Sequence, residues 1–154
     1  MIVDQAGQFL FHLSFTDYQK PGSGEFCRHC LHRLNKILVA FDESKEIMRA
    51  VRHLGKMVNA DNCRITLCHV VRSQSIFQKG DEEVWQRMEK ERMAPKLNEV
   101  KTCLCNMGIP MNNVSCEILT DKISRASGVL ERANEGKYGT LVIGRRGLTI
   151  VKEF

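Results

Sequence analysis

No part of this sequence is apolar over the roughly 20 residues that a membrane-spanning helix needs. The N-terminus also lacks the basic stretch, the continuous apolar segment and the small-residue cleavage site of a secretory signal. What is present is the balance of one ordinary globular domain: 154 residues, of which 43% are hydrophobic and 27% are charged. The sequence therefore predicts a cytoplasmic protein that does not bind membranes.

Clustered positive charge is absent as well. The 23 Lys and Arg residues outnumber the 18 Asp and Glu residues, but they are spread through helical patterns beside acidic residues. A nucleic-acid surface needs basic residues gathered on one face, with aromatic residues among them. The one basic pair beside a loop, Arg145 and Arg146, suits the phosphate of a small ligand better, so no nucleic-acid partner is expected.

Disulfide bonds are not expected, because the seven cysteines are an odd number and no secretion signal accompanies them. Four potential zinc ligands do fall within one short segment, at Cys27, His29, Cys30 and His32. A tetrahedral zinc site usually takes two ligand pairs from separate segments, and no second pair follows at a suitable spacing. A polar linker is the favoured interpretation, and a metal- or thiol-responsive switch is the weaker alternative.

From residue 36 onwards, short apolar runs alternate with segments of helical periodicity. The runs predict strands at 37–41, 65–71, 114–119 and 141–143. Strands that alternate with helices in this way build an open parallel sheet with helices on both faces. The sequence therefore predicts an α/β fold.

The helical segments carry their own start and stop signals. Ser44 can cap the first helix, and the second is expected to bend or break near Pro95, where the ring removes a backbone hydrogen bond. The third is expected to begin near Thr120 or Asp121 and to end around Gly136. Its inner face would be made by Ile123, Ala126, Leu130 and Ala133.

The first part of the chain, 1–35, does not continue this alternation. Apolar side chains alternate over 9–15 as on a strand, and 21–24 is typical of a turn or linker. We interpret 1–35 as an N-terminal extension or linker, or as the end of a preceding repeat, and 36–154 as the α/β domain.

Two elements stand at strand ends, where ligands of open parallel sheets bind if the strand order reverses there. Asp42 could accept a hydrogen bond from a base or ribose. Gly144 and Gly147 would let backbone N–H groups come close to phosphate oxygens, and Arg145 and Arg146 could add charged contacts. An Asp at a strand end can also be only part of a helix cap, and a glycine pair only a tight turn.

Three segments together resemble the universal stress proteins: KILVAFDES at 36–44, LCHVV at 67–71 and LVIGRRG at 141–147. The resemblance covers 36–154 and implies a Rossmann-like fold of the adenine nucleotide alpha hydrolase type. It also implies a stress-response sensor or regulator that binds ATP or AMP, with or without magnesium. No nucleophile elbow or carboxylate pair indicates an enzyme, although slow ATP hydrolysis stays compatible with the sequence.

The resemblance also assigns the nucleotide contacts. By position they would come from Ala40, Phe41, Asp42, Val70, Ile143, Gly144 and Gly147. Those in the first two strands would contact the adenine, and those after the last strand would begin the phosphate loop. In the family this loop continues to a third glycine with Ser or Thr, which would lie beyond Phe154.

We therefore expect a C-terminally truncated domain that lacks the last helix and strand of the family fold. The favoured interpretation is a segment of a longer protein with a tandem-domain partner. The alternative is that the segment 9–15 folds back, or reaches a second copy in a homodimer, and covers the strand edge left open. The alternative function is a dimerisation or interaction module of the same family that does not bind nucleotide.

Overall fold

The computed structural model describes residues 2–3, 9–10, 35–73 and 79–144. From residue 35 onwards, strands alternate with helices as the sequence predicts. The strands are β1 (Lys36–Ala40), β2 (Arg64–Arg72), β3 (Val114–Lys122) and β4 (Thr140–Ile143). The helices are α1 (Lys45–Met57), α2 (Lys79–Asn106) and α3 (Arg125–Glu135), and a short 3₁₀ turn at Met111–Asn113 precedes β3.

The four strands form one parallel sheet in the order β3-β2-β1-β4. In β1, Ile37 pairs with Ile65 of β2 and Leu38 pairs with Leu141 of β4. Every residue of β2 between its two ends is buried, as expected for a parallel strand that is covered on both faces. The predicted parallel α/β fold is confirmed, and β1 lies between β2 and β4.

Successive side chains of each strand point to opposite faces of the sheet, so the core has two parts. On one face, Ile37 and Val39 pack with residues of α1 and α2. On the other face, Leu38 and Cys68 pack with residues of α3. Residues at the strand ends therefore lie between α1 and α2 on one side and α3 on the other.

Helix α1 begins where the sequence predicts. The Ser44 hydroxyl accepts a hydrogen bond from the Ile47 backbone N–H at 3.1 Å, which satisfies one of the free donors of the first turn. Ile47, Val51 and Leu54 recur at helical spacing and are buried against the sheet.

Helix α2 is continuous through Pro95, so the predicted break does not occur. Pro95 lies on the exposed side, where water can reach the Glu91 carbonyl that the proline ring leaves without a backbone donor. The buried residues of α2 that pack on the sheet begin only at Met93. Val84 and Met88 in its first half are 46% and 61% exposed, and the inward positions there include the polar Gln86 and Glu89.

The predicted start and inner face of the third helix are wrong. Strand β3 extends to Lys122, and α3 begins only after Ser124, whose hydroxyl accepts from the Ser127 N–H at 3.0 Å in a capping box. Of the four residues placed on the inner face, only Ala133 is buried. Ile123 is 91% exposed and Leu130 is 42% exposed.

A glycine explains this error in the inner face of α3. Gly128 faces the sheet, and a Cβ atom there would lie 2.8 Å from Cγ1 of Val70. The helix therefore packs closely through a residue without a side chain, with Val129 and Ala133 beside it. A search for apolar side chains at helical spacing does not find a contact made by glycine. The predicted end is correct, since Gly136 caps the helix.

The N-terminal extension contributes one short feature to the described residues, an antiparallel pairing of Ile2–Val3 with Phe9–Leu10. These strands form a sheet of their own, and among the described residues neither strand pairs with the open edge of β4. In the described part of the chain, no helix is long and apolar enough to cross a membrane.

The five cysteines among the described residues are free thiols. Cys68 is fully buried in the α3 face of the core, and burial raises the pKa of its thiol to about 12. It therefore stays protonated and acts as a small core residue.

A bidentate ion pair joins α3 to strand β3 of the sheet. Arg132 donates from Nε to one oxygen of Glu117 at 2.6 Å and from Nη2 to the other at 2.7 Å. Both side chains are about two-thirds or more buried, and these hydrogen bonds hold the pKa of Glu117 below its usual range. A carboxylate with a depressed pKa stabilises the fold above its unfolded pKa and loses that effect as the pH falls.

We therefore predict that Glu117→Gln lowers the free energy of unfolding at pH 7 by about 1 kcal/mol. The difference from wild type should shrink as the pH falls below about 4.3, the ordinary Glu pKa, and vanish once Glu117 is protonated in the folded state. Urea unfolding between pH 7 and about pH 2 measures this, because the loss falls between the ordinary Glu pKa and the lower pKa of the folded state. Glu99→Gln, an exposed change on α2, is the control, and a wild-type advantage independent of pH would contradict the assignment.

Candidate functional site

A groove opens at the carboxyl ends of β1 and β4, on the side of the sheet that α3 covers. Its volume is about 460 Å³, and its lining is mostly apolar. The lining residues are Ala40, Asp42, Arg125, Ala126, Val129, Leu130, Leu141, Ile143 and Gly144. Asp42 and Arg125 are its two charged members.

The topology explains why the groove is here. The chain leaves β1 towards α1 and β2 on one side, whereas β4 lies on the other side of β1, so the strand order reverses between β1 and β4. Connections diverge at such a point and leave a crevice outside the strand ends. The exposed apolar residues Ala126 and Leu130, which the sequence placed against the sheet, form one wall of this crevice.

Asp42 is positioned by the start of α1. One of its oxygens, Oδ1, accepts hydrogen bonds from the backbone N–H of Ser44 at 3.1 Å and from the Ser44 hydroxyl at 2.6 Å. The same hydroxyl accepts from the Ile47 N–H and caps the helix. Asp42 thus supports the helix cap and also lines the groove, so the two interpretations from the sequence are compatible.

The residue after Asp42 is fixed by ion pairs with α2. Glu43 has a φ of 63°, a left-handed conformation that is unfavourable for a residue with a side chain. Arg92 pairs with its carboxylate at 2.9 Å, and Lys96 also pairs with it. These contacts from α2 favour the strained backbone conformation at the end of β1.

The residue before Asp42 is fixed by β2. The Nδ1 atom of His69 lies 2.9 Å from the backbone carbonyl oxygen of Phe41. Because a carbonyl oxygen only accepts, Nδ1 must carry a hydrogen and donate it. The Phe41 backbone N–H also donates to the Cys68 carbonyl at 2.8 Å. The loop that carries Asp42 is therefore attached on both sides.

Of the residues predicted to contact a nucleotide, the structure brings Ala40, Asp42, Ile143 and Gly144 together in the groove. The Phe41 side chain is buried on the opposite face of the sheet, with α1 and α2. The Val70 side chain is buried beneath α3. Arg145, Arg146 and Gly147 lie outside the described residues, so their predicted role stays a prediction.

Arg125 is a groove residue that the sequence did not indicate. It is the first residue of α3, so its position depends on where that helix begins. With the start placed at Thr120 or Asp121, Arg125 fell inside the helix rather than at the strand ends. The capping box of Ser124 and Ser127 is the signal that would have located it.

No metal site is found in the part of the chain that the structure describes, where no group of three or more His, Cys, Asp or Glu could hold an ion. The predicted zinc ligands Cys27, His29, Cys30 and His32 lie outside the described residues.

Comparison with known proteins identifies the family. A model of the universal stress protein family matches residues 33–154. The chain belongs to the universal stress protein family. The match covers most of the chain.

Solved structures of universal stress proteins have the same fold. One from Burkholderia pseudomallei matches with a TM-score of 0.60 and 16% identity, over 73% of this chain and 83% of the other. UspA from Lactobacillus plantarum matches with a TM-score of 0.60 and 16% identity, over 77% and 84%. A universal stress protein in complex with cAMP matches with a TM-score of 0.59 and 19% identity, over 77% and 82%. Among curated protein sequences, none matches this chain.

Gly144 packs so closely against the start of α1 that a residue with a side chain would clash at this position. A Cβ atom at this position would lie 2.9 Å from the backbone nitrogen of Ile47 and 3.1 Å from its Cα. Backbone atoms in the first turn of α1 cannot move aside as the end of a side chain can. The absence of a side chain at 144 therefore brings the end of β4 against the start of α1.

We predict that Gly144→Ala lowers the free energy of unfolding by about 1–3 kcal/mol, the usual cost of overpacking. Gly55→Ala is the matched control. An added Cβ there would meet the flexible end of the Met107 side chain at 2.6 Å, and alanine favours the interior of a helix. Thermal or urea unfolding of both variants measures the difference. Equal effects of the two substitutions would show that the contact with α1 is not tight.

Proposed function

We propose that the groove binds an adenine nucleotide, ATP or AMP, and that this domain is a stress-response sensor or regulator. The observation that supports this most is the position of Asp42 and Gly144, which line one mostly apolar groove at the reversal of strand order. Binding would change the conformation or association of the domain rather than start a fast reaction.

The groove suits the parts of a nucleoside. The apolar side chains of Leu130, Leu141 and Ile143 can pack on the flat faces of a purine. Asp42 can accept hydrogen bonds from the ribose hydroxyls or from the amino group of the base. Its attachment on both sides keeps the carboxylate in place before the ligand arrives, which lowers the entropic cost of binding.

The phosphate end would lie where β4, α1 and α3 come together. Gly144 is in contact with the first turn of α1, and the guanidinium of Arg125 can pair with phosphate oxygens. Arg145, Arg146 and Gly147 would extend this end of the site, and magnesium would accompany ATP. The similar structure in complex with cAMP supports an adenine nucleotide as the ligand class.

The second candidate function is an interaction or dimerisation module that does not bind nucleotide. It is favoured by the apolar residues Ile123 and Leu130, which are 91% and 42% exposed on or next to α3. Exposed apolar side chains beside an apolar groove are typical of a surface that another protein covers. Among the described residues no strand pairs with the outer edge of β4, and a second copy of the chain or a tandem domain would suit that edge.

We predict that the full chain binds ATP or AMP and that Asp42→Asn weakens binding at least tenfold, or about 1.4 kcal/mol. The physical reason is the loss of a charged acceptor for the hydrogens of the ligand. Isothermal titration calorimetry with each nucleotide, with and without magnesium, measures the affinities. Asp61→Asn, an exposed change in the turn between α1 and β2, is the control and should leave them unchanged.

If neither nucleotide binds at millimolar concentration while the protein sediments as a dimer, the interaction module is the better account. Equal affinities of wild type and Asp42→Asn would remove Asp42 from the site.

A further inference from the structure

A second cavity of about 360 Å³ lies over the end of β2, between α2 and α3. Three elements contribute its polar residues. His69 and Arg72 come from β2, Glu89 comes from α2, and Ser124 and Arg125 come from the start of α3. Arg125 also lines the groove described above, but the other four do not.

His69 is the most unusual of these residues. Its side chain is only 4% exposed, and its Nε2 atom has no hydrogen-bond partner within the described residues. Because Nδ1 donates its hydrogen to Phe41, Nε2 of the neutral ring carries a lone pair and can only accept. Burial lowers the pKa of His69, so the ring is neutral at pH 7 and above.

Glu89 faces this lone pair with another acceptor. Its Oε1 atom lies 4.0 Å from Nε2 of His69. Arg92 donates to both oxygens of Glu89, at 2.6 Å and 2.9 Å, and this holds the pKa of the carboxyl below its usual range. Each carboxylate oxygen has a further lone pair, so Oε1 can still accept another hydrogen bond. Two hydrogen-bond acceptors, Nε2 of His69 and Oε1 of Glu89, therefore face each other with no hydrogen atom between them.

The rim of the cavity carries two positive charges, and Val71 and Trp85 complete its lining. Arg72 and Arg125 are exposed side chains at its rim, on β2 and α3. Arg125 is also the first residue of α3, and the amino end of a helix carries partial positive charge. The cavity thus combines cations, which attract an oxyanion, with two acceptors, which repel an oxyanion unless it brings its own hydrogen.

We propose that this cavity is a binding site for hydrogen phosphate. Arg72, Arg125 and the start of α3 would hold the phosphate oxygens, and the single P–OH hydrogen would be donated to Glu89 or to His69. At neutral pH, inorganic phosphate keeps at least one such hydrogen, whereas sulfate has the same shape and keeps none. The site therefore selects phosphate over sulfate. This inference does not depend on nucleotide binding in the groove.

Calorimetric titration of the full chain with inorganic phosphate and with sulfate, at pH 7.5, equal ionic strength and without nucleotide, tests the proposal. Phosphate is expected to bind at least tenfold more tightly than sulfate, because sulfate has no hydrogen to donate to Glu89 or His69 and only repels them. Arg72→Gln should weaken phosphate binding about tenfold, since it removes one charged donor. Arg64→Gln, at the other end of β2, is the matched control and should change nothing.

Glu89→Gln tests the selection itself, because the amide can donate to an oxyanion where the carboxylate could only accept. The ratio of phosphate to sulfate affinity should fall towards one in this variant. Circular dichroism and thermal unfolding verify that each variant is folded. The proposal is overturned if wild type binds neither anion, if it binds both equally, or if Glu89→Gln leaves the ratio unchanged in a folded protein.

Discussion

The parallel pairing of β1 with β2 on one side and β4 on the other is the constraint on which the rest of this structure depends. It places the carboxyl ends of three strands at one edge of the sheet. It also sends α1 and α3 to opposite faces, so that a groove remains between them at this edge. Gly144 lets the end of β4 pack directly against the first turn of α1, and this contact closes one end of the groove.

A chain of polar contacts joins the end of β1 to α2. Lys96 and Arg92 pair with Glu43, Arg92 also binds Glu89, and Glu89 faces His69, which donates to the Phe41 carbonyl. The residues on both sides of Asp42 are therefore fixed by elements distant in sequence. The same contacts place the two acceptors of the second cavity, so the two candidate sites share a supporting framework as well as Arg125.

The sequence predicted the sheet well because buried parallel strands are mostly apolar runs, as in 65–71, where Thr66 and His69 are the exceptions. It predicted the start of α1 because Ser44 is a strong capping residue. It failed at α3, where Gly128 rather than an apolar side chain makes the closest contact with the sheet. That error also hid Arg125 at the start of the helix. The pairing of Glu43 with Arg92, separated by 49 positions, has no local signal in the sequence. Residues 145–147 lie outside the described residues, so their predicted role in the phosphate loop stays a prediction.

The central claim is that an adenine nucleotide binds between the ends of β1 and β4. The most direct measurement is the change of backbone amide NMR signals of the isotope-labelled full chain on titration with AMP. The account predicts the largest shifts at Asp42, Gly144 and Arg125, and little change at Gly108 and Asn113, which lie at the opposite edge of the sheet. Saturable shifts centred on Gly108 and Asn113, or no shift at the first three residues, would contradict it.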